Sequence, residues 1–413
     1  MASLLIKNTG LATAGTLAQG LARFGYTILV GRVLGAETLG QVSGLIALSV
    51  FVSLFWPTGA GVAASRFLPN DANVAGDHSS VQFLVREFLI STPLLAVGTG
   101  AAALLIVPDP VTALGAAALA LAFSAYAFVR GAALGQSRFR RIAIADGVTS
   151  ALAILLLLAV LLLSLPWATL LPLALGYAVF AWVCWPRGGT PGRQSNREIR
   201  TFIFFNSLAQ LATGGALQLA MVAAKVYDTP SQAGLFAAAF SLATPASMLA
   251  LSVNQVLVPH IVRKDSTDPV QSRRVTWHRT LLAAVGFGVL FAGLILLAPT
   301  LLDLFFGATF LPAAPFMQWL LVGVYVYSVS LIPAATLIAT GRDRRYAAAA
   351  AMGLGISVAV ILISGTSLGA WAAVVGYVSG TAVSATFIIA MGLRRTPRLS
   401  PNALATQPGK LAK

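Results

Sequence analysis

The chain has 413 residues, of which 58% are hydrophobic and only 9% charged, and its mean hydropathy is +0.85. Soluble domains carry about 25% charged residues, so this composition excludes an ordinary soluble protein and indicates an integral membrane protein. The net charge of +15 would suit a nucleic-acid partner only with clustered aromatic residues or a soluble basic module, and the sequence has neither. We therefore expect no nucleic acid. The single cysteine excludes a disulfide within the chain.

Twelve apolar segments follow one another along the chain with short polar gaps between them. Each holds about 20 residues, enough for a helix to cross about 30 Å of hydrocarbon. They predict an all-α polytopic membrane protein with twelve transmembrane helices, at roughly residues 9–31, 40–63, 82–107, 111–133, 142–164, 167–185, 201–224, 233–258, 279–299, 312–339, 345–364 and 369–391.

The first apolar segment carries polar residues along one stripe. Thr16, Gln19, Arg23 and Thr27 recur there at helical spacing. An arginine within an apolar helix is costly, so it should face protein or a water-filled cavity rather than lipid. The segment then ends near Gly31 and turns into the second apolar segment.

Lysine and arginine are distributed asymmetrically between the two sides of the predicted membrane. If the N-terminus is cytoplasmic, all but three of the 27 Lys and Arg residues lie on the inner side or at inner span ends, the exceptions being Arg23, Arg32 and Lys225. This bias follows the positive-inside rule. It predicts that both the N-terminus and the C-terminus face the cytoplasm.

A polar gap from Pro186 to Arg200, PRGGTPGRQSNREIR, divides the twelve segments six and six. The composition after residue 393 turns basic and rich in small polar residues, which is typical of a disordered tail. We predict an N-terminal lobe at 1–186, a cytoplasmic linker at 187–200, a C-terminal lobe at 201–393 and a basic, disordered cytoplasmic tail at 394–413.

Two short matches relate the halves of the chain. Residues Arg32 to Gly40 match Lys225 to Gly234, and Gly135 to Arg138 match Gly341 to Arg344. Because each half contains an even number of spans, equivalent helices run in the same direction. The matches therefore predict two six-helix lobes related by a pseudo-twofold axis along the membrane normal and facing each other across a central cleft.

These features resemble a known family. The stretch GRVLGAETLGQVSGLIALSV, the Arg66-Phe-Leu-Pro69 ending of the second segment and the Gly135…Arg138 and Gly341…Arg344 joints are similar to the polysaccharide-exporter branch of the multidrug/oligosaccharidyl-lipid/polysaccharide superfamily. O-antigen and other lipid-linked oligosaccharide flippases belong to that branch. The resemblance implies a protein of the inner (plasma) membrane whose lobes alternate in access. It would carry a polyprenyl-pyrophosphate-linked oligosaccharide or polysaccharide precursor from the inner to the outer leaflet.

Arg23 is the first candidate for binding such a substrate. A pyrophosphate head group needs fixed positive charge in a cavity of low dielectric, and a guanidinium binds phosphate oxygens through two parallel hydrogen bonds. Gln19 lies one turn away on the same face and could hydrogen-bond sugar hydroxyls. The alternative is that Arg23 is a structural charge that pairs with a helix carbonyl or extends toward the head groups.

Five polar residues on later spans are further candidates. Asn206, Gln210 and Thr213 form a stripe on the seventh span, and Asn254 and Gln255 interrupt the eighth. Such groups favour helix interfaces or a wet cavity over lipid, and the sequence leaves these two roles equally open.

Each of three charged residues at span ends could either bind the substrate or have a structural role. Arg66 flanks the inner mouth and could admit an anionic head group, although the positive-inside rule alone accounts for it. Arg32 and Lys225 occupy matching outer ends and could receive the phosphate as it leaves. The simpler reading is that they anchor the helices in the head groups, with Glu37 and Asp228 as candidate ion-pair partners.

The sequence lacks residues that two alternative functions, a cation-coupled exporter and a membrane enzyme, would require. Asp146 is the one acidic residue near a span interior, whereas a cation-coupled drug exporter, the alternative within the superfamily, should keep an acidic cluster in its N-terminal lobe. A membrane glycosyltransferase or polymerase would need catalytic groups on a sizeable outer loop, and the predicted outer connections are only a few residues long.

The sequence has no Walker A motif, metal-ligand cluster or Ser/His/Asp pattern, so we expect neither an enzyme nor a cofactor. The expected partners are the lipid-linked glycan, membrane lipids and a polysaccharide polymerase or glycosyltransferase.

Overall fold

The computed structural model describes residues 2–68, 79–186, 196–264, 269–339 and 342–392. These ranges are almost entirely helical and contain no strand, so the prediction of an all-α membrane protein is confirmed. The α-helices are α1 (Ala2–Ser53), α2 (Pro57–Phe67), α3 (Ser79–Ile106), α4 (Pro110–Gly135), α5 (Phe139–Leu162), α6 (Leu171–Cys184), α7 (Asn196–Gln210), α8 (Ala216–Tyr227), α9 (Pro230–Lys264), α10 (Pro269–Leu296), α11 (Ala298–Phe306), α12 (Ala314–Ala339), α13 (Asp343–Leu368) and α14 (Ala370–Gly392).

The helices supply the twelve predicted spans. Ten helical segments among the described residues are long and apolar enough to cross a membrane. One of these, Thr13–Ser53, contains the first span and most of the second, because α1 is kinked at Gly35. Helix α9 supplies a further span, the eighth. The twelve-span architecture is therefore confirmed.

Glycine allows the chain to fold back between the first and second spans. Gly35 has a φ of 81°, a backbone conformation that residues with a Cβ rarely adopt. Beyond this kink the Leu39 side chain comes within 3.1 Å of where a Cβ on Gly31 would lie. A straight helix would separate residues 31 and 39 by about 12 Å along its axis.

Proline divides the second span into two helices. Helix α1 ends at Ser53, and Pro57 occupies the first turn of α2, where its missing N–H costs no hydrogen bond. The freed carbonyl of Ser53 accepts a hydrogen bond from the Thr58 hydroxyl at 3.0 Å. The span is thereby bent without leaving this backbone group unsatisfied.

The helices form two lobes that meet along α1 and α9. In the first lobe α2 packs on α4, α4 on α6 and α1 on α5; in the second, α13 and α12 pack on α14 and α10 packs on α12. Helix α1 also packs extensively on α9 of the second lobe. The first span and the outer part of the second therefore form much of the seam between the lobes.

The seventh span is shared between the lobes. Its inner part, α7, packs on α2, with the Phe67 and Phe202 rings in edge contact at 5.3 Å and Arg200 paired with Glu87 of α3. A π-helical turn at Leu211–Gly215 follows, and α8 beyond it packs on α13 and α14.

Helix α7 begins inside the predicted linker at 187–200. Residues 187–195 of that linker and the predicted tail at 394–413 lie outside the described ranges, so the lobe boundaries stay predictions.

The connection between the ninth and tenth spans is longer than expected. Helix α10 ends at Leu296, and Pro299 lies in the first turn of α11, which is followed by a 3-10 segment at Ala308–Ala313. Proline has no N–H to continue α10, so the chain starts a new short helix on the outer side. The expectation that all outer connections are only a few residues long was therefore wrong here.

Candidate functional site

A cavity of about 330 Å³ lies beside the first span, near the seam between the lobes. Its walls come from α1, α2, α4 and α6 of the first lobe, and Met248 of α9 contributes from the second. Gln19, Gly20 and Arg23 of α1 line it, so the polar stripe predicted on the first span faces this cavity. The sequence thus located the cavity wall on α1.

Arg23 lies where this cavity adjoins a smaller one. The second cavity, of about 30 Å³, lies between α1 and α9 and shares Gly20, Arg23 and Met248 with the first. Ser43 also lines it, and its buried hydroxyl has no hydrogen-bond partner. Within the described part of the chain, Arg23 forms no ion pair with a carboxylate, and Tyr177 is its electrostatic neighbour. Arg23 is thus a cation at a cavity wall whose charge no carboxylate of the described residues balances.

Asp146 of α5 is completely buried and is held by three side chains from two other helices. Its carboxylate accepts hydrogen bonds from Nε of Arg130 at 3.2 Å and from the Tyr126 hydroxyl at 3.1 Å, both on α4. Gln19 donates from Nε2 to the Thr149 hydroxyl oxygen at 3.2 Å and to the Asp146 carbonyl at 3.4 Å. The Gln19 amide is therefore partly committed to α5 while it lines the cavity.

The same network ties the first span closely to α4 and α5. Arg130 donates a hydrogen bond to the Thr16 hydroxyl at 2.7 Å. A Cβ on Gly15 would lie only 2.5 Å from Oδ2 of Asp146, so glycine at this position permits the close approach of α1. Because Arg130 neutralises Asp146, this carboxylate is not available to Arg23.

Sequence reasoning did not identify Tyr126, Arg130 and Tyr177 as cavity residues. Arg130 lies near the inner end of the fourth span and was counted with the inner-side charges. A buried acid in an apolar helix requires a partner, so Asp146 was the signal that could have pointed to Arg130. The tyrosines carried no such signal.

Among the described residues, Arg66, Asn206 and Gln210 do not line the cavity at Arg23. Arg66 is exposed at the end of α2, with its guanidinium 4.8 Å from the centre of the Phe202 ring. Asn206 and Gln210 lie half-buried on α7, and the side-chain oxygen of Asn206 is buried without a hydrogen-bond partner. Asn254 and Gln255 lie in α9 where the side chains are outside the described part of the structure.

At the outer side, Arg32 contacts the opposite lobe. Its Nε donates to the carbonyl of Phe305 at 2.7 Å, and a second guanidinium nitrogen donates to the carbonyl of Leu304. Both carbonyls lie in the last turn of α11, where helix carbonyls lack intrahelical partners and carry partial negative charge. Arg32 thus caps a helix of the second lobe from the first.

The other outer charges have different partners. Lys225 of α8 packs on Gly44 of the first lobe, with side-chain carbons 3.1 Å from where a Cβ on Gly44 would lie, and it interacts electrostatically with Glu37. Asp228 accepts a hydrogen bond from the backbone N–H of Ala370 at 2.7 Å. Asp228 therefore helps to begin α14 within its own lobe.

The matched glycines of the two halves meet at the seam. A Cβ on Gly40 would lie 2.6 Å from the backbone nitrogen of Gly234, and a Cβ on Gly234 would lie 2.8 Å from Cα of Ala36. Only residues without side chains allow the outer ends of the second and eighth spans to approach so closely. This contact closes the outer side of the seam, on the far side of the Gly35 kink from Arg23.

Comparison with known proteins identifies the family of this chain. A sequence profile described as "Polysaccharide biosynthesis protein" matches residues 5–265, more than half of the chain. The chain belongs to the polysaccharide biosynthesis protein family. The resemblance read from the sequence, to the polysaccharide-exporter branch of the superfamily, is confirmed. A search of curated protein sequences found no match.

The fold of this chain is similar to that of solved transporter structures. A structure titled "Inward-facing conformation of a multidrug resistance MATE family transporter of the MOP superfamily" has a TM-score of 0.69 at 17% identity, covering 94% of this chain and 96% of that one. A MOP superfamily transporter from Pyrococcus furiosus has a TM-score of 0.62 at 17% identity, covering 94% of each chain. An outward-facing MATE family transporter has a TM-score of 0.58 at 17% identity, covering 95% of this chain and 96% of that one.

Proposed function

We propose that this protein is a flippase that moves a polyprenyl-(pyro)phosphate-linked oligosaccharide or polysaccharide precursor from the inner to the outer leaflet of the plasma membrane. The observation that carries the proposal is Arg23, a cation that pairs with no carboxylate among the described residues and lies at the wall of a cavity whose outer side is closed. Membership of the polysaccharide biosynthesis protein family supports a glycan substrate.

The charge of Arg23 favours an anionic head group. An arginine removed from bulk water loses hydration, and this cost is offset when an anion accepts its hydrogen bonds. Asp146 does not provide this balance, because its charge is already paired with Arg130 at 3.2 Å. A phosphate oxygen pair would accept two parallel hydrogen bonds from the guanidinium and supply the missing charge.

The size of the cavity suits the head group rather than the whole substrate. A volume of about 330 Å³ is at the lower end of the range for small-molecule sites. It accommodates a pyrophosphate and an adjoining sugar beside Gln19, while the polyprenyl chain would extend into the lipid. The small cavity beyond Arg23, with the unpartnered Ser43 hydroxyl, lies on the outward path along α1.

Alternating access requires the outer seam to open during the cycle. Its outer end is held by the approach of Gly40 to Gly234, the two hydrogen bonds from Arg32 and the packing of Lys225 on Gly44. The apolar packing of α1 on α9 also crosses the seam, so opening must rearrange this packing. The higher TM-score against the inward-facing structure than against the outward-facing one agrees with a closed outer side.

A cation-coupled small-molecule exporter is the second candidate. The buried Asp146 in the first lobe favours it, because an intramembrane carboxylate is a common site for proton or cation coupling. The pairing of Asp146 with Arg130 at 3.2 Å weighs against it, since a neutralised carboxylate attracts a cation less strongly.

Reconstitution of the purified protein in liposomes distinguishes these functions. We expect a fluorescent polyprenyl-pyrophosphate oligosaccharide to exchange between leaflets, followed by quenching from outside, in wild-type vesicles and not in protein-free vesicles. Efflux of a cationic dye driven by a proton or sodium gradient, without any glycan exchange, would support the exporter instead. Transfer of sugar between lipid-linked glycans by the purified protein would support a glycosyltransferase and contradict the flippase.

A further inference from the structure

A further cavity, distinct from the two beside Arg23, opens on the outer side of the first lobe. It has a volume of about 230 Å³ and is lined by residues from three parts of the chain. Thr38 and Gln41 come from the start of the second span, Asp109 precedes α4, and Trp167 lies in the short connection between α5 and α6. None of its described lining residues is a lysine, arginine or histidine, so it does not suit a phosphate.

The polar groups of this cavity are free to bind a ligand. Neither the Thr38 hydroxyl nor the Gln41 amide forms a hydrogen bond within the described part of the chain. Asp109 caps α4, accepting from the backbone N–H of Thr112 at 2.9 Å and from the Thr112 hydroxyl, which fixes its carboxylate in place. Carboxylate oxygens have about four acceptor positions, so Asp109 can accept further hydrogen bonds.

Trp167 adds an exposed aromatic surface to these polar groups. It is 54% exposed, although it is followed by three buried residues that hold the connection in place. Thr169 is among them, and its carbonyl accepts a hydrogen bond from the buried Tyr26 hydroxyl. Tryptophan at a membrane surface often serves only as a head-group anchor. Here, however, it shares a cavity with an amide, a hydroxyl and a fixed carboxylate, which is more than an anchor needs.

We propose that this outer cavity binds a single sugar ring of the glycan. A pyranose presents an apolar C–H face that packs on an indole, and hydroxyls at its rim that pair with amide, hydroxyl and carboxylate groups. A volume of about 230 Å³ is large enough for one ring. The choice of glycan as ligand rests on the proposed flippase function. The cavity would hold the sugar after it reaches the outer side.

The position of the cavity relates it to the outer seam. On the second span, Ala36, Gly40 and Gly44 follow at intervals of four and face the second lobe. Thr38, Gln41 and Leu45 of the same helical stretch face the cavity. A sugar bound here would therefore contact the helix that opens and closes the seam.

The test uses purified full-length protein in lipid nanodiscs and a panel of free hexoses and N-acetylhexosamines. Saturation-transfer NMR would detect weak binding, which we expect with a Kd of about 1 mM for the best sugar. We expect Trp167→Ala and Gln41→Ala to weaken this binding at least fivefold, and Trp167→Phe, which keeps a ring face, to retain most of it. Trp182→Ala is the matched control, because Trp182 is 79% exposed and does not line the cavity.

Two further arms separate this site from the translocation site. Trp167→Ala should weaken sugar binding while lipid-linked glycan still exchanges between leaflets, since Trp167 does not line the cavity at Arg23. If wild-type protein binds sugar and fails to translocate lipid-linked glycans, the flippase proposal fails and the sugar site stands. Equal sugar binding by wild type and Trp167→Ala would overturn the sugar site, as would binding of choline or ethanolamine in place of sugars.

Discussion

Asp146 is the one charged side chain that is completely buried in the described part of the chain. The free-energy cost of burying its charge is offset by the ion pair with Arg130. The two groups are 3.2 Å apart, with the Arg130 side chain 17% exposed. Removing one member of such a pair leaves the other charge without compensation. The pair therefore fixes α1, α4 and α5 around the cavity more than it adds to net stability.

A double-mutant cycle tests this role. We expect Arg130→Leu to lower the free energy of unfolding by about 3–5 kcal/mol, because Asp146 would remain buried and unpaired. Arg130→Leu combined with Asp146→Leu should cost clearly less than the sum of the two single changes. Denaturant unfolding in detergent measures each variant. Additive effects in the cycle would mean that the two side chains do not stabilise each other.

Asp109 predicts a pH dependence on the outer surface. Hydrogen bonds from the Thr112 hydroxyl and backbone N–H hold the pKa of its carboxyl below the usual value. The folded-state pKa thus lies below the unfolded value of about 3.9, so the charged cap stabilises α4 above about pH 4. This contribution is lost as the pH falls through the folded-state pKa.

Thermal unfolding of wild type and Asp109→Asn between pH 7 and pH 3 measures this contribution. Asparagine caps a helix about as well as aspartate but does not titrate. We expect the Tm difference between the two proteins to shrink below pH 4. A difference that stays constant over the whole range would show that the Asp109 charge has no stabilising role.

Among the structural elements, the second span decides how closely the lobes can approach. Its outer end packs on the start of α9 through Gly40 and Gly234, which the sequence had already matched as equivalent positions of the two halves. Residues related by a twofold axis meet only where they lie close to that axis. The contact therefore agrees with the pseudo-twofold arrangement of the lobes.

Gly234→Ala should hold the outer seam partly open. The added Cβ would lie 2.8 Å from Cα of Ala36, and overpacking of this kind typically costs about 1–3 kcal/mol. The ratio of open to closed states would rise about fivefold or more. In a Cys184→Ala background carrying Thr27→Cys, a membrane-impermeant maleimide added from outside should label the variant faster than the parent.

The matched control for this change is Gly98→Ala. A Cβ at Gly98 would meet no atom within 4 Å, so the same substitution should leave labelling unchanged there. Equal labelling of Gly234→Ala and its parent would mean that the glycine contact does not control outer access.

The seventh span is the element that the sequence described least well. Its apolar run predicted one helix, whereas the structure has α7, a π-helical turn at Leu211–Gly215 and α8. The inner part packs mainly on α2 of the first lobe, whereas the outer part packs both on α1 of the first lobe and on α13 and α14 of the second. π-helical turns occur often at functional sites. This division of the span depends on tertiary contacts that a hydrophobicity pattern does not encode.

At the scale of the whole molecule, the sequence predicted what periodicity and charge determine. Span number, the kink after Gly31 and the polar stripe containing Arg23 all follow from local composition and agree with the structure. The pairing of Arg130 with Asp146 and the capping of α11 by Arg32 do not, because each joins residues distant in the chain. The short helix α11 could not be distinguished by hydrophobicity because it lies within an apolar run, although Pro299 in its first turn indicated where it starts.

Capture of an anionic head group by Arg23 is tested most directly by leaflet-resolved translocation of a fluorescent polyprenyl-pyrophosphate oligosaccharide in liposomes. Hydrogen bonds to a charged group contribute about 1.5–3 kcal/mol, so Arg23→Ala should slow translocation at least about tenfold. Arg23→Lys, which keeps the charge without the planar fork, should be intermediate. Arg140→Ala, which removes an exposed arginine of α5, should match wild type. Equal rates for wild type and Arg23→Ala would contradict the proposed role of Arg23 in binding the head group.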